Sequence, residues 1–251
     1  MKLATTWTES AGDAPPLLIA PGLFGSGRNW GVIAKRLSDR GPVCAVDMRN
    51  HGDSAWDDDH SYPALAGDLA ETIDGTWDVV GHSMGGKAAM TLALTRPETI
   101  RRLVVADIAP VTYTHSQAGL VAAMREMDLT GLSSRKEVDA RLAERIEDSG
   151  TRAFLLQSLD YRAQRWDLNL DVLDREMETI TGWPDDLTGR FDGPTLFLSG
   201  ADSDYVQPEH REIITAHFPQ ARFAAIRDAG HWIHAQKPRE VEASLRAFLD
   251  A

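Results

Sequence analysis

The stretch Trp77-Asp78-Val79-Val80-Gly81-His82-Ser83-Met84-Gly85-Gly86 decides how this chain is read. Trp77 to Gly81 is a short apolar run, β-branched at Val79 and Val80, with the length and composition of a buried strand. Met84 to Thr95 has the length and spacing of a helix, so Gly81-His82-Ser83-Met84-Gly85 falls on the turn between them. A G-x-S-x-G pattern carries chemistry in that strand-turn-helix context. The turn is sharp enough that residues two before and two after the serine must be small, and Gly81 and Gly85 meet the demand. Such a turn presents the Ser83 hydroxyl at the carboxyl end of a sheet, with the amide of Met84 and the positive end of the helix facing a developing oxyanion. An incidental serine in a glycine-rich turn is the plain alternative, and the flanking strand and helix weigh against it.

The same alternation recurs outward from this turn. Short apolar runs lie at Pro16 to Ala20, Val43 to Asp47, Leu103 to Asp107, Thr195 to Ser199 and Arg222 to Ile226. Segments of helical period separate them, at Trp30 to Arg40, Tyr62 to Ile73, Pro208 to His217 and Pro238 to Leu249. The last opens on a proline and places Val241, Leu245, Phe248 and Leu249 on one face. Strands alternating with helices imply an α/β fold, a mostly parallel sheet covered on both faces. The alternation breaks between about Thr112 and Leu187. There Ser116 to Met127, Ser134 to Glu147, Arg152 to Leu159 and Asn169 to Ile180 read as successive helices with no convincing strand. The expected organisation is one core domain, 1–111 and 188–251, with a helical cap, 112–187, inserted in it.

A serine hydroxyl is a poor nucleophile until a positioned base takes its proton, and histidine suits that task near neutral pH. Of eight histidines, His231 is placed best, in Asp228-Ala229-Gly230-His231-Trp232 between the last strand and the last helix. His234 is its rival, nearer the helix start. His82 is expected to point away from Ser83, and His51, His60, His115, His210 and His217 are read as surface or hydrogen-bonded structural residues. A carboxylate must orient the base, and two loops offer one: Asp202 and Asp204 after the strand that follows the cap, or Asp107 at the end of the strand that follows the nucleophile helix. Asp107 is preferred because it ends an apolar strand at the sheet edge where Ser83 must lie. Capping of backbone amides is its alternative role.

Pro21-Gly22-Leu23-Phe24-Gly25-Ser26-Gly27 follows the first of these strands, and its glycines allow the amide of Leu23, with Phe24 as a second choice, to face the Met84 amide across an oxyanion. A different class of protein competes for the same residues. Glycines after a first strand, with Asp47 ending the next strand 20 residues after Gly27, resemble a dinucleotide site. The spacing here is G-x-x-G-x-G rather than G-x-G-x-x-G, and that reading leaves Ser83 and His231 without a role.

Composition agrees with a soluble globular enzyme. The chain has 251 residues, 43% hydrophobic and 25% charged. A formal net charge of -12 opposes binding to nucleic acid or to an anionic membrane, both of which need a concentrated basic surface. The single cysteine, Cys44, lies in an apolar run and reads as a buried structural thiol. Met1 to Ala11 lacks the apolar stretch of a signal peptide, and no run approaches the ~18 apolar residues of a membrane helix, so a cytoplasmic location is expected.

Five blocks together resemble a branch of the α/β-hydrolase superfamily, the small YbfF-like serine esterases. These are Gly22-Leu23-Phe24-Gly25-Ser26, Asp47-Met48-Arg49-Asn50-His51-Gly52-Asp53-Ser54, Gly81 to Lys87, Asp107-Ile108-Ala109-Pro110, and Gly230-His231-Trp232-Ile233-His234-Ala235 with Lys237-Pro238. The resemblance spans nearly the whole chain. It implies the α/β-hydrolase fold, Ser83 as nucleophile, Asp107 as acid and His231 as base. In most α/β-hydrolases the acid stands three residues after the glycine of the later loop, a position that is Ser203 here. Pro21 stands where this branch usually has a histidine, and the Asp47 to Ser54 block is a supporting turn rather than a catalytic one.

The function implied is hydrolysis of a small to medium acyl ester or thioester through an acyl-enzyme, with no metal or organic cofactor. Phe24, Tyr113, Trp166 and Trp232 are candidates to line the substrate pocket. The same triad would serve an acyltransferase that passes the acyl group to an alcohol, or a haloperoxidase or lyase, whereas dehalogenation through an aspartate nucleophile is disfavoured by Ser83. A non-enzymatic ligand receptor on the same fold is the alternative from another class.

Overall fold

The computed structural model describes residues 1–132 and 134–251. From the amino end the chain forms β1 (Ala4–Thr8), β2 (Leu17–Ala20), α1 (Gly31–Leu37), β3 (Val43–Asp47), α2 (Tyr62–Thr72), β4 (Trp77–His82), α3 (Met84–Thr95) and β5 (Ile100–Ala106). The segment 112–187 follows, with α4 (Ala118–Arg125), α5 (Arg135–Leu142), α6 (Ser149–Leu155), the two-residue strands β6 (Leu159–Asp160) and β7 (Arg165–Trp166), α7 (Leu170–Arg175) and α8 (Met177–Thr181). The chain then returns to the sheet through β8 (Thr195–Gly200), α9 (Arg211–His217), β9 (Ala221–Ile226), α10 (Ile233–Gln236) and α11 (Pro238–Leu249).

Seven strands make one sheet in the order β1-β3-β2-β4-β5-β8-β9. All neighbours run parallel except β1, which pairs antiparallel with β3 from Ala4 opposite Asp47 to Thr8 opposite Val43. The alternation read from sequence is thus the observed architecture, the α/β-hydrolase fold. Successive strand residues feed opposite cores, as the two-residue period of a strand requires. Leu17 and Ile19 join Val80, Val104 and Leu198 beneath α1 and α11, while Leu18 and Ala20 join Val79, Leu103 and Val105 on the face carrying α2 and α3. The expected stripe of α11, Val241, Leu245, Phe248 and Leu249, is buried, each side chain contributing roughly 1.5–3 kcal/mol before ordering entropy is counted. Cys44 is fully buried, and burial pushes its thiol up to about 12.

Three differences from the sequence reading have plain physical origins. β1 is largely exposed at the sheet edge, so Ala4-Thr5-Thr6-Trp7-Thr8 carries no apolar run to reveal it. Residues 112–187 contain the small β6–β7 hairpin, too short to leave a periodic signal. The expected helix Asn169 to Ile180 is split at Glu176 into α7 and α8. Among the described residues no helix is long and apolar enough to cross a membrane.

The order of the strands also locates a crevice. β3 and β4 flank β2 on opposite sides, so the chain reverses its direction of travel across the sheet there. Loops after the carboxyl ends of strands on either side of such a reversal diverge and leave an opening between them.

Candidate active site

Ser83 stands at the carboxyl end of β4, beside that opening. Its backbone, φ 51° and ψ −121°, lies in a region that L-residues rarely occupy. The conformation is held by Ser83 N–H donating to the Ala106 carbonyl at 3.0 Å and by the Ser83 carbonyl accepting from Lys87 N–H at 3.0 Å. Tight packing explains the flanking glycines. A Cβ on Gly81 would lie 2.4 Å from the Gly85 carbonyl oxygen, and one on Gly85 would lie 2.3 Å from the carbonyl oxygens of both Ala20 and Pro21.

His231 and Asp107 converge on this serine from their own strand ends. His231 Nε2 is 3.0 Å from Ser83 Oγ, and His231 Nδ1 is 2.8 Å from Asp107 Oδ2. An ionised carboxylate only accepts, so Nδ1 carries the proton and Nε2 is left to accept from the serine hydroxyl. Asp107, fully buried, also has a positive φ of 52°. Its Oδ1 accepts from Gly200 N–H at 2.8 Å, and its Oδ2 accepts from Ser203 Oγ at 2.5 Å. Ser203 stands at the later-loop position considered in the sequence for an acid, and its bond to Asp107 makes the two alternative loops meet at one point. Asp202 and Asp204 are exposed.

The loop after β2 lies opposite. Among the described residues the amides of Leu23 and Met84 donate to no protein acceptor, whereas Phe24 N–H, the second choice from sequence, is taken by His51 Nε2 at 3.2 Å. His51 Nδ1–H donates to the Arg49 carbonyl at 2.9 Å. Complete burial lowers its pKa to about 4, keeping the imidazole neutral and able to accept. The Asp47 to Ser54 block therefore supports the loop. Asp47 Oδ1 accepts from Gly27 N–H at 2.8 Å and Oδ2 from Asp53 N–H at 2.9 Å, which accounts for the nucleotide-like spacing of Gly27 and Asp47 by a local bond.

His82, His234 and His60 pack near the site, each held neutral chiefly by burial. His82 does not bond the Ser83 hydroxyl; its Nε2–H donates to the His231 carbonyl at 2.9 Å and so ties down the loop that carries His231. Burial, with the nearby imidazoles of His234 and His231, holds His82 well below the ordinary histidine range. His234, the rival base, is buried and stacked on Trp30 at 4.5 Å between ring centres, and burial lowers its pKa to about 3. His60 is lowered to about 3, again chiefly by burial, and accepts from Asn50 Nδ2 at 3.1 Å.

A pocket opens at Ser83. Phe24, Tyr113 and Trp232 line it as expected, and Trp166 does not. Trp166 is buried inside the 112–187 segment, where its indole N–H needs an acceptor and finds the Met124 carbonyl at 3.0 Å. Sequence reasoning missed Tyr62 on α2, Ile108, then Met177, Ile180 and Thr181 on α8, Gln117, His115, which the sequence presents as a surface or structural residue, and Tyr205, whose ring stacks on His231 at 3.9 Å. Ile108 and Tyr205 had a local signal, Ile108 following Asp107 and Tyr205 standing one residue beyond the Asp202 to Asp204 loop. Among the described residues, no Asp, Glu, Lys or Arg lines the cavity.

Known proteins can be set beside this geometry. The profile of the alpha/beta hydrolase fold family matches residues 15–238. The mouse protein named sn-1-specific diacylglycerol lipase ABHD11 is 40% identical over 254 residues, covering 95% of this chain and 82% of that protein. Esterase YbfF of Escherichia coli K12 is 38% identical over 240 residues, covering 94% of this chain and 93% of its own. A solved structure described as a marine microorganism esterase superposes with a TM-score of 0.93 at 35% identity, covering 98% of this chain and 99% of that one.

Proposed function

The chain belongs to the alpha/beta hydrolase fold family and is an ester-cleaving hydrolase of the esterase and lipase type, and from that premise we propose that it works through an acyl-enzyme on Ser83. The observation that carries the reading is the position of His231, 3.0 Å from Ser83 Oγ on one side and 2.8 Å from Asp107 Oδ2 on the other. Ser83 Oγ attacks the ester or thioester carbonyl carbon as its proton passes to His231 Nε2. Asp107 stabilises the resulting imidazolium, and the tetrahedral oxyanion faces the amides of Leu23 and Met84. Collapse breaks the bond to the alcohol or thiol, which leaves with the proton from His231. Water then attacks the acyl-enzyme with His231 again as base, releasing the acid and restoring the Ser83 hydroxyl.

In this reading residues 112–187 act as the cap that closes the cavity. The absence of charged side chains from the cavity lining favours an uncharged, small to medium acyl group, held mainly by Phe24, Ile108, Tyr113 and Trp232. Hydrolysis of p-nitrophenyl esters with a Ser83→Ala control tests the assignment. The expected fall in kcat/KM is at least about 10⁴-fold, since loss of the nucleophile leaves only binding and oxyanion stabilisation. Equal turnover by the two proteins would remove Ser83 from the mechanism.

A further inference from the structure

Lys87 is one turn beyond Ser83 on α3 and has no part in the proposed chemistry, yet its side chain is 1% exposed. A buried ammonium without a carboxylate is costly unless other groups replace its water. No ion pair to Lys87 exists among the described residues. Instead Nζ donates to the carbonyl of Thr181 at 2.8 Å and to that of Gly182 at 2.5 Å, and it lies 4.9 Å from the centre of the Tyr113 ring and 5.6 Å from that of Tyr62. Burial lowers its pKa to about 7, so the amine sits where both of its forms are accessible near neutrality.

The two carbonyls belong to the end of α8, where the last turn of a helix leaves acceptors without partners. Other donors from outside α8 serve the same turn. Tyr62 Oη donates to the Ile180 carbonyl at 2.6 Å, and Tyr113 N–H donates to the Thr181 carbonyl at 3.0 Å. Three successive carbonyls, Ile180, Thr181 and Gly182, are thereby tied to the core. Met177 and Ile180, on the same short helix, form part of the cavity wall. The only covalent path from α3 to this wall runs through nearly a hundred residues, so the latch is what couples their positions directly.

We propose that Lys87 is a positioning residue that sets acyl-chain selectivity, by fixing the α8 wall of the cavity at a defined distance from Ser83 through Thr181 and Gly182. The proposal rests on the reading of Ser83 as the acylated residue. Without the latch the α8 turn is free to move outward, and longer acyl chains gain room at Met177 and Ile180.

The test compares kcat/KM for p-nitrophenyl acetate, butyrate, hexanoate, octanoate and decanoate in wild type, Lys87→Met and Tyr62→Phe. The quantity read is the ratio of each ester to acetate within one protein, so a general loss of activity cancels. In Lys87→Met the ratio for the longer esters is expected to rise on the order of tenfold, the size of selectivity that a methylene or two commands in an apolar pocket. Tyr62→Phe, which keeps the ring but frees the Ile180 carbonyl, should shift the ratio in the same direction by less. Chain-length profiles that superimpose on wild type in the folded variants overturn the proposal, whatever happens to their melting temperatures. Should Lys87→Met fail to fold, an unchanged profile in Tyr62→Phe is sufficient to overturn it. Turnover retained by Ser83→Ala would defeat the acyl-enzyme reading separately.

Discussion

The sheet and the segment 112–187 enclose the same cavity, but they are held there by different means. On the sheet side the geometry is local. Ser83 and Asp107 each sit within one residue of a strand end, in strained backbone conformations fixed by main-chain bonds to neighbouring strands, and Gly81 and Gly85 remove the Cβ atoms that would collide with the helix start and with the end of β2. On the other side the geometry depends on side chains reaching across long stretches of sequence: Lys87 to Thr181 and Gly182, Tyr62 to Ile180, Tyr113 to the backbone of Tyr205. The first construction permits almost no variation without loss of the reacting geometry. The second can change by one side chain at a time, which suits the part of an enzyme that chooses its substrate.

The largest effect should come from breaking the sheet side at its acid. Asp107→Asn leaves the side chain in place but removes the charge that, in the proposed mechanism, stabilises protonated His231 and fixes its tautomer. The expected loss is about 10³–10⁴-fold in kcat/KM for p-nitrophenyl acetate. Asp204→Asn, exposed and outside the hydrogen-bond chain, should stay within about twofold, the scale of an ordinary surface change. A larger loss at Asp204 than at Asp107 would move the acid to the later loop.

The same contrast governs what the sequence discloses. Trp77 to Gly86 can be read as strand, turn and helix because every constraint on it is carried by adjacent residues. Asp107, Gly230 and His231 lie where strands end, so the topology brings them together once the alternation is seen. Ser203 could be recognised as a departure from the usual acid position, but its bond to Asp107 could not, since it spans 96 residues of chain. Trp166 illustrates the opposite error. A large aromatic in a presumed cap invites assignment to the pocket, yet Trp166 is buried and its indole N–H is satisfied by the Met124 carbonyl within the 112–187 segment. Met177, Ile180 and Lys87 gave no such invitation, because a helix of ordinary composition does not state which neighbour it will pack against.

An intermediate effect should appear in the pH dependence of stability, and it belongs to the latch. The buried Lys87 amine gives up its proton at about 7, whereas in the unfolded chain it keeps the ordinary lysine value of about 10.4. Between these limits the unfolded state binds the additional proton. Stability of wild type relative to Lys87→Met should therefore rise as pH rises through 7 and level off near 10, with a slope of at most about 1.4 kcal/mol per pH unit. The titratable groups facing the amine are Tyr62 from α2 and Tyr113 from the stretch after β5, and burial pushes both hydroxyls upward, leaving them uncharged across this window. Urea unfolding of both proteins at a series of pH values reads the difference. A flat difference would mean that Lys87 keeps its proton throughout and that its two carbonyl partners, with the ring faces, compensate fully for burial.

The smallest effect separates packing inside the 112–187 segment from control of the cavity. Trp166→Phe removes an indole N–H bond to the Met124 carbonyl and part of a buried ring, at a cost of about 1–2 kcal/mol in unfolding free energy. Trp166 is not part of the cavity lining, and its indole N–H bonds Met124 rather than the α8 carbonyls held by Lys87 and Tyr62. Its chain-length profile on p-nitrophenyl esters should therefore match wild type, even though it loses about as much stability as a broken tie at Tyr62. If the profile of Trp166→Phe instead moves as far as that of Tyr62→Phe, selectivity depends on the firmness of the whole segment. The division between a rigid sheet and a tunable wall would then lie at the segment boundary rather than at α8.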